Sequence, residues 1–169
     1  MEVTLDALLC SRDERWETEK RLQREYPEAV TVVLTVVMPG SVKRDRRSLV
    51  VAHAAVDAVN RLLGGKVITS LTRDLETGFE GYWVVQGNTL DIKRELCAIE
   101  DTHPLGRLFD IDILGKDAVP IPRTAVGFAP RRCLLCEREA RWCMRNHTHT
   151  KEEIQDKITE MVEAYELGL

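Results

Sequence analysis

The sequence has no long apolar run, few aromatic side chains and no excess of basic residues. None of its segments approaches the roughly 18 consecutive apolar residues of a membrane-spanning helix. The N-terminal stretch MEVTLDALL has no basic region, so we expect no secretory signal and a cytoplasmic protein. Because the net charge is −4 and aromatic residues make up only 5% of the chain, we expect neither a nucleic-acid partner nor a membrane partner.

The cysteines are unevenly distributed along the chain. The chain has five cysteines, an odd number, and three of them lie between residues 133 and 143. This distribution is typical of thiol or metal chemistry in a reducing compartment, and it argues against a disulfide framework. We expect the other two, Cys10 and Cys97, to pack as small hydrophobic side chains.

Apolar residues are abundant enough for a full core, since 44% of the 169 residues are hydrophobic. We predict a single domain over residues 1–169, with an N-terminal helical arm at 1–27, a core at 28–122 and a cysteine-rich segment with C-terminal helices at 123–169. In the arm, Ser11 and Glu14 have the spacing of a capping box, which predicts a helix that begins there and ends before Pro27. The apolar stripe of KEEIQDKITEMVEAYEL predicts a last helix that packs on the domain or on a partner.

The core has the pattern of alternating strands and helices. The β-branched run AVTVVLTVVM predicts a central strand buried on both faces, and apolar residues at steps of three and four predict a helix from Arg46 to Leu63. An antiparallel hairpin is predicted for KVITSLT and GYWVVQ. A second helix is predicted for TLDIKRELCAIE, and a last strand is predicted for RLFDIDIL. The order βαββαβ predicts an α+β, ferredoxin-like fold, in which a four-stranded, mostly antiparallel sheet carries both helices on one face.

The last strand carries two carboxylates on one face. Alternation places Leu108, Asp110, Asp112 and Leu114 on that face and an apolar set on the other. The two carboxylates are then about 6 to 7 Å apart, close enough to hold one divalent cation between them. The alternative is that both carboxylates are simply solvated. His103 and Arg107 precede the strand at a Pro-Gly bend, which can direct an acid-base group and a phosphate-binding guanidinium towards the same face.

The clustered cysteines have the spacing C-x2-C-x6-C-x5-H, formed by Cys133, Cys136, Cys143 and His149, with His147 as an alternative fourth residue. Three thiolates and an imidazole suit a tetrahedral zinc ion. Because the middle spacing is short for a zinc finger, two alternatives stay open. The cysteines are reduced thiols packed along one side of a helix, or they form a redox switch.

Four motifs occur in order along nearly the whole chain: SRDER, PG with a nearby lysine, HPLGRLFDIDIL and RRCLLCEREARWCMRNHTH. On these motifs the sequence strongly resembles the apo-citrate lyase phosphoribosyl-dephospho-CoA transferases, also described as citrate lyase holo-[acyl-carrier-protein] synthases. The resemblance implies a nucleotidyltransferase that uses triphosphoribosyl-dephospho-CoA as donor. It also implies that a serine of the citrate lyase acyl carrier protein, the gamma subunit, attacks the donor and that diphosphate leaves.

This chemistry needs cations at the phosphates and an acceptor for the serine proton. We expect Asp110 and Asp112 to hold Mg²⁺, and Arg107 and Lys43 to contact phosphate oxygens. The proton acceptor is His103 or one of the two aspartates, and the residues alone do not decide between them.

Further charged residues are candidates for binding the substrates. Arg12, Asp13 and Arg15 lie in the first turn of the predicted arm helix, where free backbone N–H groups favour an anion. The alternative is that these three residues serve only in capping the helix. Arg131 and Arg132 are expected to contact the diphosphate or the carrier protein. The competing hypothesis is a zinc-stabilised binding module without catalysis, whose VKRDRR and PRRC patches contact a nucleic acid or a protein.

Overall fold

An antiparallel sheet of four strands, with helices on both faces, is the framework of the molecule. A computed structural model of the protein describes residues 2–115 and 118–168. The predicted α+β class is confirmed, and the strands are arranged in the order β2-β3-β1-β4. The strands are β1 (Val30–Val36), β2 (Val67–Leu75), β3 (Gly78–Val85) and β4 (Phe109–Leu114).

Within the described residues, five α-helices accompany the sheet. The core elements follow one another as strand, helix, strand, strand, helix, strand, as predicted. The second helix has the predicted bounds. Asp45 caps its N-terminus by accepting from the Ser48 N–H at 2.8 Å, and Gly64 ends it with a positive φ of 47°. The helices are α1 (Leu5–Glu25), α2 (Arg46–Leu63), α3 (Thr89–Thr102), α4 (Ala140–Arg145) and α5 (Lys151–Glu166).

The larger core lies between one face of the sheet and helices α2, α3 and α5. Val32 and Leu34 of β1 are fully buried there, as expected for a central strand. Ile158 and Val162 of α5 are buried in the same cluster, so the last helix packs on the domain, as predicted. Phe109 also belongs to this core, which fixes the outward direction of its neighbours in β4.

Helix α1 covers the opposite face of the sheet, where its Leu22 packs in a smaller core with Val33 and Tyr82. The predicted start of this helix was wrong. The helix begins at Leu5 behind Thr4, whose side chain accepts from the Ala7 N–H. Because residues 5–10 continue the helix upstream, Arg12, Asp13 and Arg15 lie beyond the first turn, and their backbone N–H groups are not free to bind an anion. The Ser11 hydroxyl is instead hydrogen-bonded to the Thr77 hydroxyl at 2.8 Å.

Two expectations for the cysteines need correction. Cys97 is buried, as predicted, but Cys10 is exposed, since it lies on a solvent-facing part of α1. Cys133 and Cys136 precede α4 and lie in a turn, so the three clustered cysteines do not follow one side of a helix. Across residues 2–115 and 118–168, no helix has both the length and the apolar character needed to cross a membrane.

Candidate active site

A cleft of about 510 Å³ lies between α1 and the sheet, and we call it the α1 cleft. Val33 and Thr35 of β1 form part of its floor, and Trp16 of α1 lines it with a half-exposed ring. The cleft brings together residues that are far apart in the sequence. Five of the predicted site residues line it: Arg12, Asp13, Arg15, Asp110 and Asp112.

The register of β4 brings Asp110 and Asp112 to the same cleft. Asp110 is paired with Thr35 and Asp112 with Val33, two positions apart on β1. Their side chains are 46% and 39% exposed, whereas alternate residues of the strand are buried in the larger core. The predicted alternation is therefore present from Phe109 onwards. Leu108 departs from it, because it lies in a 3₁₀ turn and packs in the larger core.

Each aspartate has a cationic side chain beside it. Arg131 Nη2 lies 3.0 Å from Asp110 Oδ1, and Lys93 Nζ lies 3.5 Å from Asp112 Oδ1. The pKa of Asp112 is nevertheless raised above its usual value, mainly because of burial and secondly because of the Asp110 charge. Additional positive charge at this carboxylate pair is therefore electrostatically favourable.

The two cations also donate hydrogen bonds to backbone carbonyls on the free edge of β4, which is an outer strand of the sheet. The Ile111 N–H donates to Glu100 Oε1 at 2.9 Å, and Lys93 Nζ donates to the Ile111 carbonyl at 3.1 Å. Arg131 Nη1 donates to the Phe109 carbonyl at 2.8 Å, and its Nη2 is paired with Glu100. Buried side chains of α3 thus both close the sheet edge and hold cations next to the aspartates.

Glu19 adds a carboxylate to the α1 cleft that was not among the predicted site residues. Burial is the main cause that raises its pKa to about 7, and the charges of Asp112 and Glu80 raise it further against the effect of Arg15. Its side chain is therefore close to half ionised near neutral pH, which suits proton transfer. No sequence pattern distinguishes Glu19, because it is one of many charged residues in α1.

A buried carboxylate supports the wall of the cleft beneath α1. Glu80 is buried and accepts from Arg73 at 2.6 Å and from the Tyr82 hydroxyl at 2.7 Å. Arg15 Nη1 lies 3.8 Å from the other Glu80 oxygen, so this contact holds Arg15 towards the sheet. Burial and the Glu80 contact raise the pKa of Tyr82, so its hydroxyl stays protonated and acts as a donor.

His103 and Lys43 do not line the α1 cleft. The His103 ring lies 4.8 Å from the Phe109 ring and 5.5 Å from the Tyr165 ring, measured between centroids, on the side of the sheet that α5 covers. Its Nδ1 accepts from the Leu105 N–H at 3.0 Å, and burial lowers its pKa. Lys43 donates to the Met38 carbonyl at 2.6 Å. Catalytic and phosphate-binding roles for these two residues stay predictions.

Arg107 and Arg132 line a second cleft of about 490 Å³, which we call the Arg107 cleft. Cys133 and Cys136 belong to its wall, together with Arg123. The predicted arginines are thus divided between two clefts, whereas Lys43 lines neither. Arg131 adjoins both, because it contacts Asp110 while its sequence neighbours on either side line the Arg107 cleft.

The cysteine motif forms a compact cluster that can hold a metal ion. One ligand atom from each of Cys133, Cys136, Cys143 and His149 lies within 4.8 Å of the others. Cys136 Sγ is 3.5 Å from Cys143 Sγ and 3.4 Å from His149 Nε2. Three sulfurs and one imidazole nitrogen at such separations are compatible with tetrahedral Zn²⁺. The exposed His147 is not part of the cluster, so the fourth position belongs to His149.

Protonation of the cluster depends on its local contacts. Burial opposes ionisation of Cys133, but N–H groups of Leu135 and Cys136 donate to its sulfur and lower its pKa overall. Burial and the neighbouring Cys136 and Cys133 sulfurs raise the pKa of Cys143 to about 11. Metal binding requires all three thiols to be deprotonated, so metal affinity at this cluster must fall as the pH falls.

Comparison with known proteins finds a matching family and several similar proteins. The model of the apo-citrate lyase phosphoribosyl-dephospho-CoA transferase family matches residues 3–165. A probable apo-citrate lyase phosphoribosyl-dephospho-CoA transferase from Vibrio cholerae is 36% identical over 172 residues, which cover 98% of this chain and 94% of the relative. One of the same name from Streptococcus pyogenes is 32% identical, covering 96% of this chain and 87% of the relative. The protein CitXG of Haemophilus influenzae is 30% identical over 98% of this chain but only 36% of its own length.

Proposed function

This chain belongs to the apo-citrate lyase phosphoribosyl-dephospho-CoA transferase family, and from that premise we propose the reaction that its α1 cleft catalyses. The donor is triphosphoribosyl-dephospho-CoA and the acceptor is a serine of the citrate lyase acyl carrier protein. The serine oxygen forms a bond to the phosphorus nearest the ribose of the donor. The bond from that phosphorus to the next phosphate breaks, and diphosphate leaves.

The observation that carries this proposal is the convergence of Asp110 and Asp112 with Arg12 and Arg15 in one cleft. The two carboxylates are hard oxygen ligands on one face of a strand, and they fit Mg²⁺. Mg²⁺ held there would neutralise charge on the reacting phosphate. Arg12 and Arg15 line the same cleft and would contact phosphate oxygens of the same group. The contact of Arg15 with Glu80 would preorganise its guanidinium.

We assign the serine proton to Glu19. Its carboxylate shares the cleft with Asp110 and Asp112, whereas His103 is packed against Phe109 on the other side of the sheet. A base with a pKa of about 7 is half deprotonated at neutral pH and still accepts a proton readily. In this assignment the two aspartates bind the cation, and Glu19 takes the proton.

The cysteine cluster has a structural role in the proposal. Zn²⁺ bound by Cys133, Cys136, Cys143 and His149 would link the turn before α4 to the start of α5. Because a ligand set of four protein groups leaves no open position, such a metal stabilises the fold and does not take part in the transfer.

The structure offers little support for a basic binding surface at VKRDRR. Arg44 is paired with Asp74, Arg46 with Glu166, and Arg47 with Asp45. These guanidinium groups are already neutralised by neighbouring carboxylates. The transferase hypothesis is therefore the better supported of the two.

The test is transfer to the purified acceptor. Wild-type protein, apo citrate lyase acyl carrier protein, triphosphoribosyl-dephospho-CoA and Mg²⁺ are mixed, and the carrier is followed by intact-mass spectrometry. We expect a mass increase equal to one phosphoribosyl-dephospho-CoA group, with release of one equivalent of diphosphate. A carrier whose acceptor serine is replaced by alanine is the matched control. No mass increase on the unmodified carrier would contradict the proposal.

A further inference from the structure

Arg107 is the one arginine of the Arg107 cleft that lacks a carboxylate partner within the described part of the chain. Arg123 Nη2 is paired with Asp101 at 2.7 Å, and Arg132 is paired with Glu137. Across residues 2–115 and 118–168, no carboxylate oxygen lies within 4.0 Å of the Arg107 guanidinium, although this side chain is only partly exposed. A partly buried cation without a partner is costly unless a ligand neutralises it.

Arg123 is a second cation in the wall of this cleft. Its side chain is 11% exposed, and its Nε atom is buried with no hydrogen-bond acceptor among the described residues. Burial is the main cause that lowers the pKa of Arg107, and the nearby charges of Arg131 and Arg123 lower it further. An anion in this cleft would relieve the repulsion between these cations.

The backbone holds Arg107 in place. A Cβ atom at Gly106 would lie 2.6 Å from the carbonyl oxygens of Ile99 and Glu100, so only glycine allows this close approach to the end of α3. The Gly106 N–H donates to the His103 carbonyl at 2.8 Å. The guanidinium therefore projects from a closely packed turn, and a rigid turn preorganises a binding group.

From these contacts we infer that the Arg107 cleft is a diphosphate-binding site, formed by the Arg107 and Arg123 guanidinium groups and separate from the aspartates. Guanidinium groups bind phosphate oxygens through paired, charge-assisted hydrogen bonds. The segment that carries Arg131 links this cleft to Asp110. The site is thus placed to receive the diphosphate that leaves the donor. That last assignment rests on the proposed function, whereas binding of free diphosphate does not.

Isothermal titration calorimetry of inorganic diphosphate into the full-length protein tests the inference, in buffer without Mg²⁺ and without chelator. We expect binding by the wild type and a Kd raised about tenfold or more in Arg107→Met. Arg107→Lys keeps the charge but loses the paired donors, and it should also weaken binding. Arg141→Met removes an exposed arginine from the same part of the chain and should leave Kd unchanged. Circular dichroism verifies that each variant is folded.

Three outcomes would overturn the inference: no binding by the wild type at millimolar diphosphate, equal weakening by Arg141→Met, or a wild-type Kd in Arg107→Met. An Arg12→Met variant tests the alternative that diphosphate binds in the α1 cleft. If Arg12→Met abolishes binding while Arg107→Met does not, diphosphate binds in the α1 cleft and the inference is wrong. Because the titration uses neither donor nor carrier protein, its result stands apart from the outcome of the transfer assay.

Discussion

Two carboxylates of the α1 cleft have raised pKa values because of their surroundings. Asp112 has a raised pKa, first because of burial and secondly because of the Asp110 charge. Glu19 has a pKa of about 7, caused first by burial and then by neighbouring carboxylates. The proposed proton acceptor and the proposed cation site are therefore neighbours within one acidic cleft.

The raised pKa of Glu19 has a cost in stability. The folded protein holds the Glu19 proton more tightly than the unfolded chain, so this group makes folding less favourable as the pH rises from about 4.5 to about 7. We predict that Glu19→Gln raises the melting temperature above that of wild type at pH 8 by about 2 to 4 °C, equivalent to about 1 kcal/mol for a chain of this size. At pH 4 the two proteins should melt alike. Differential scanning calorimetry at both pH values measures this.

The same variant should lose transfer activity by about 10²-fold or more, because the serine proton has no acceptor. Wild-type transfer should rise with pH through about 7, and the residual activity of Glu19→Gln should lack that rise. Glu17→Gln, on the exposed side of the same helix, is the control and should match wild type in both assays. A Glu19→Gln protein with wild-type turnover would assign the proton to another group.

At the scale of elements, the edge of β4 explains why α3 carries charged residues on its buried side. Lys93 and Glu100 are each 4% exposed or less, and both bond to the Ile111 backbone. Sequence reasoning predicted α3 from its apolar residues and gave these two charges no role, because buried and solvent-facing charges look alike in a sequence. Their role appears only once the strand order makes β4 an edge.

Removing the Glu100 carboxylate should destabilise this edge strongly. Glu100→Ala leaves Arg131 without its buried partner and the Ile111 N–H without an acceptor. We predict a loss of about 3 to 5 kcal/mol in the free energy of unfolding, measured by urea denaturation. Glu95→Ala removes an exposed carboxylate from the same helix and should cost about 1 kcal/mol or less. Equal losses of unfolding free energy in the two variants would show that the edge contacts do not contribute to stability.

Elements with strong local signals were predicted well, and those governed by competing signals were not. Helix α2 has its predicted bounds because periodicity, the Asp45 cap and Gly64 all agree. The start of α1 was wrong because the Ser11 and Glu14 pair imitates a capping box, whereas Thr4 is the cap. The cleft itself could be predicted only in part, since packing of α1 over Asp110 and Asp112 depends on contacts distant in sequence.

At the scale of the whole molecule, the cysteine cluster lies outside the sheet and holds the segment between β4 and α5. Helix α5 packs on the larger core through Ile158 and Val162. The candidate metal ligands extend to His149, directly before this helix begins. A bound metal would therefore stabilise the path by which the chain returns to the core.

We predict one Zn²⁺ per chain by elemental analysis, and a lower melting temperature after chelation or in Cys136→Ser. Cys136→Ser protein that remains folded should keep its turnover. Cys10→Ser changes an exposed cysteine and should have no effect on stability or metal content. Zinc-free wild-type protein that is insensitive to a chelator would show packed thiols instead. A Cys136→Ser protein that melts like wild type but has lost transfer would place the cluster in the active site.

The two aspartates of β4 give the most direct test of the α1 cleft as the active site. Asp110→Asn and Asp112→Asn keep the side-chain volume but remove one negative charge each, and Asp57→Asn on the exposed side of α2 is the control. The measurement is the rate of carrier modification by intact mass, with donor and Mg²⁺ saturating. We predict that each cleft variant stays folded and loses about 10²-fold or more in rate, while Asp57→Asn matches wild type. Near-normal rates in both Asp110→Asn and Asp112→Asn would contradict the assignment.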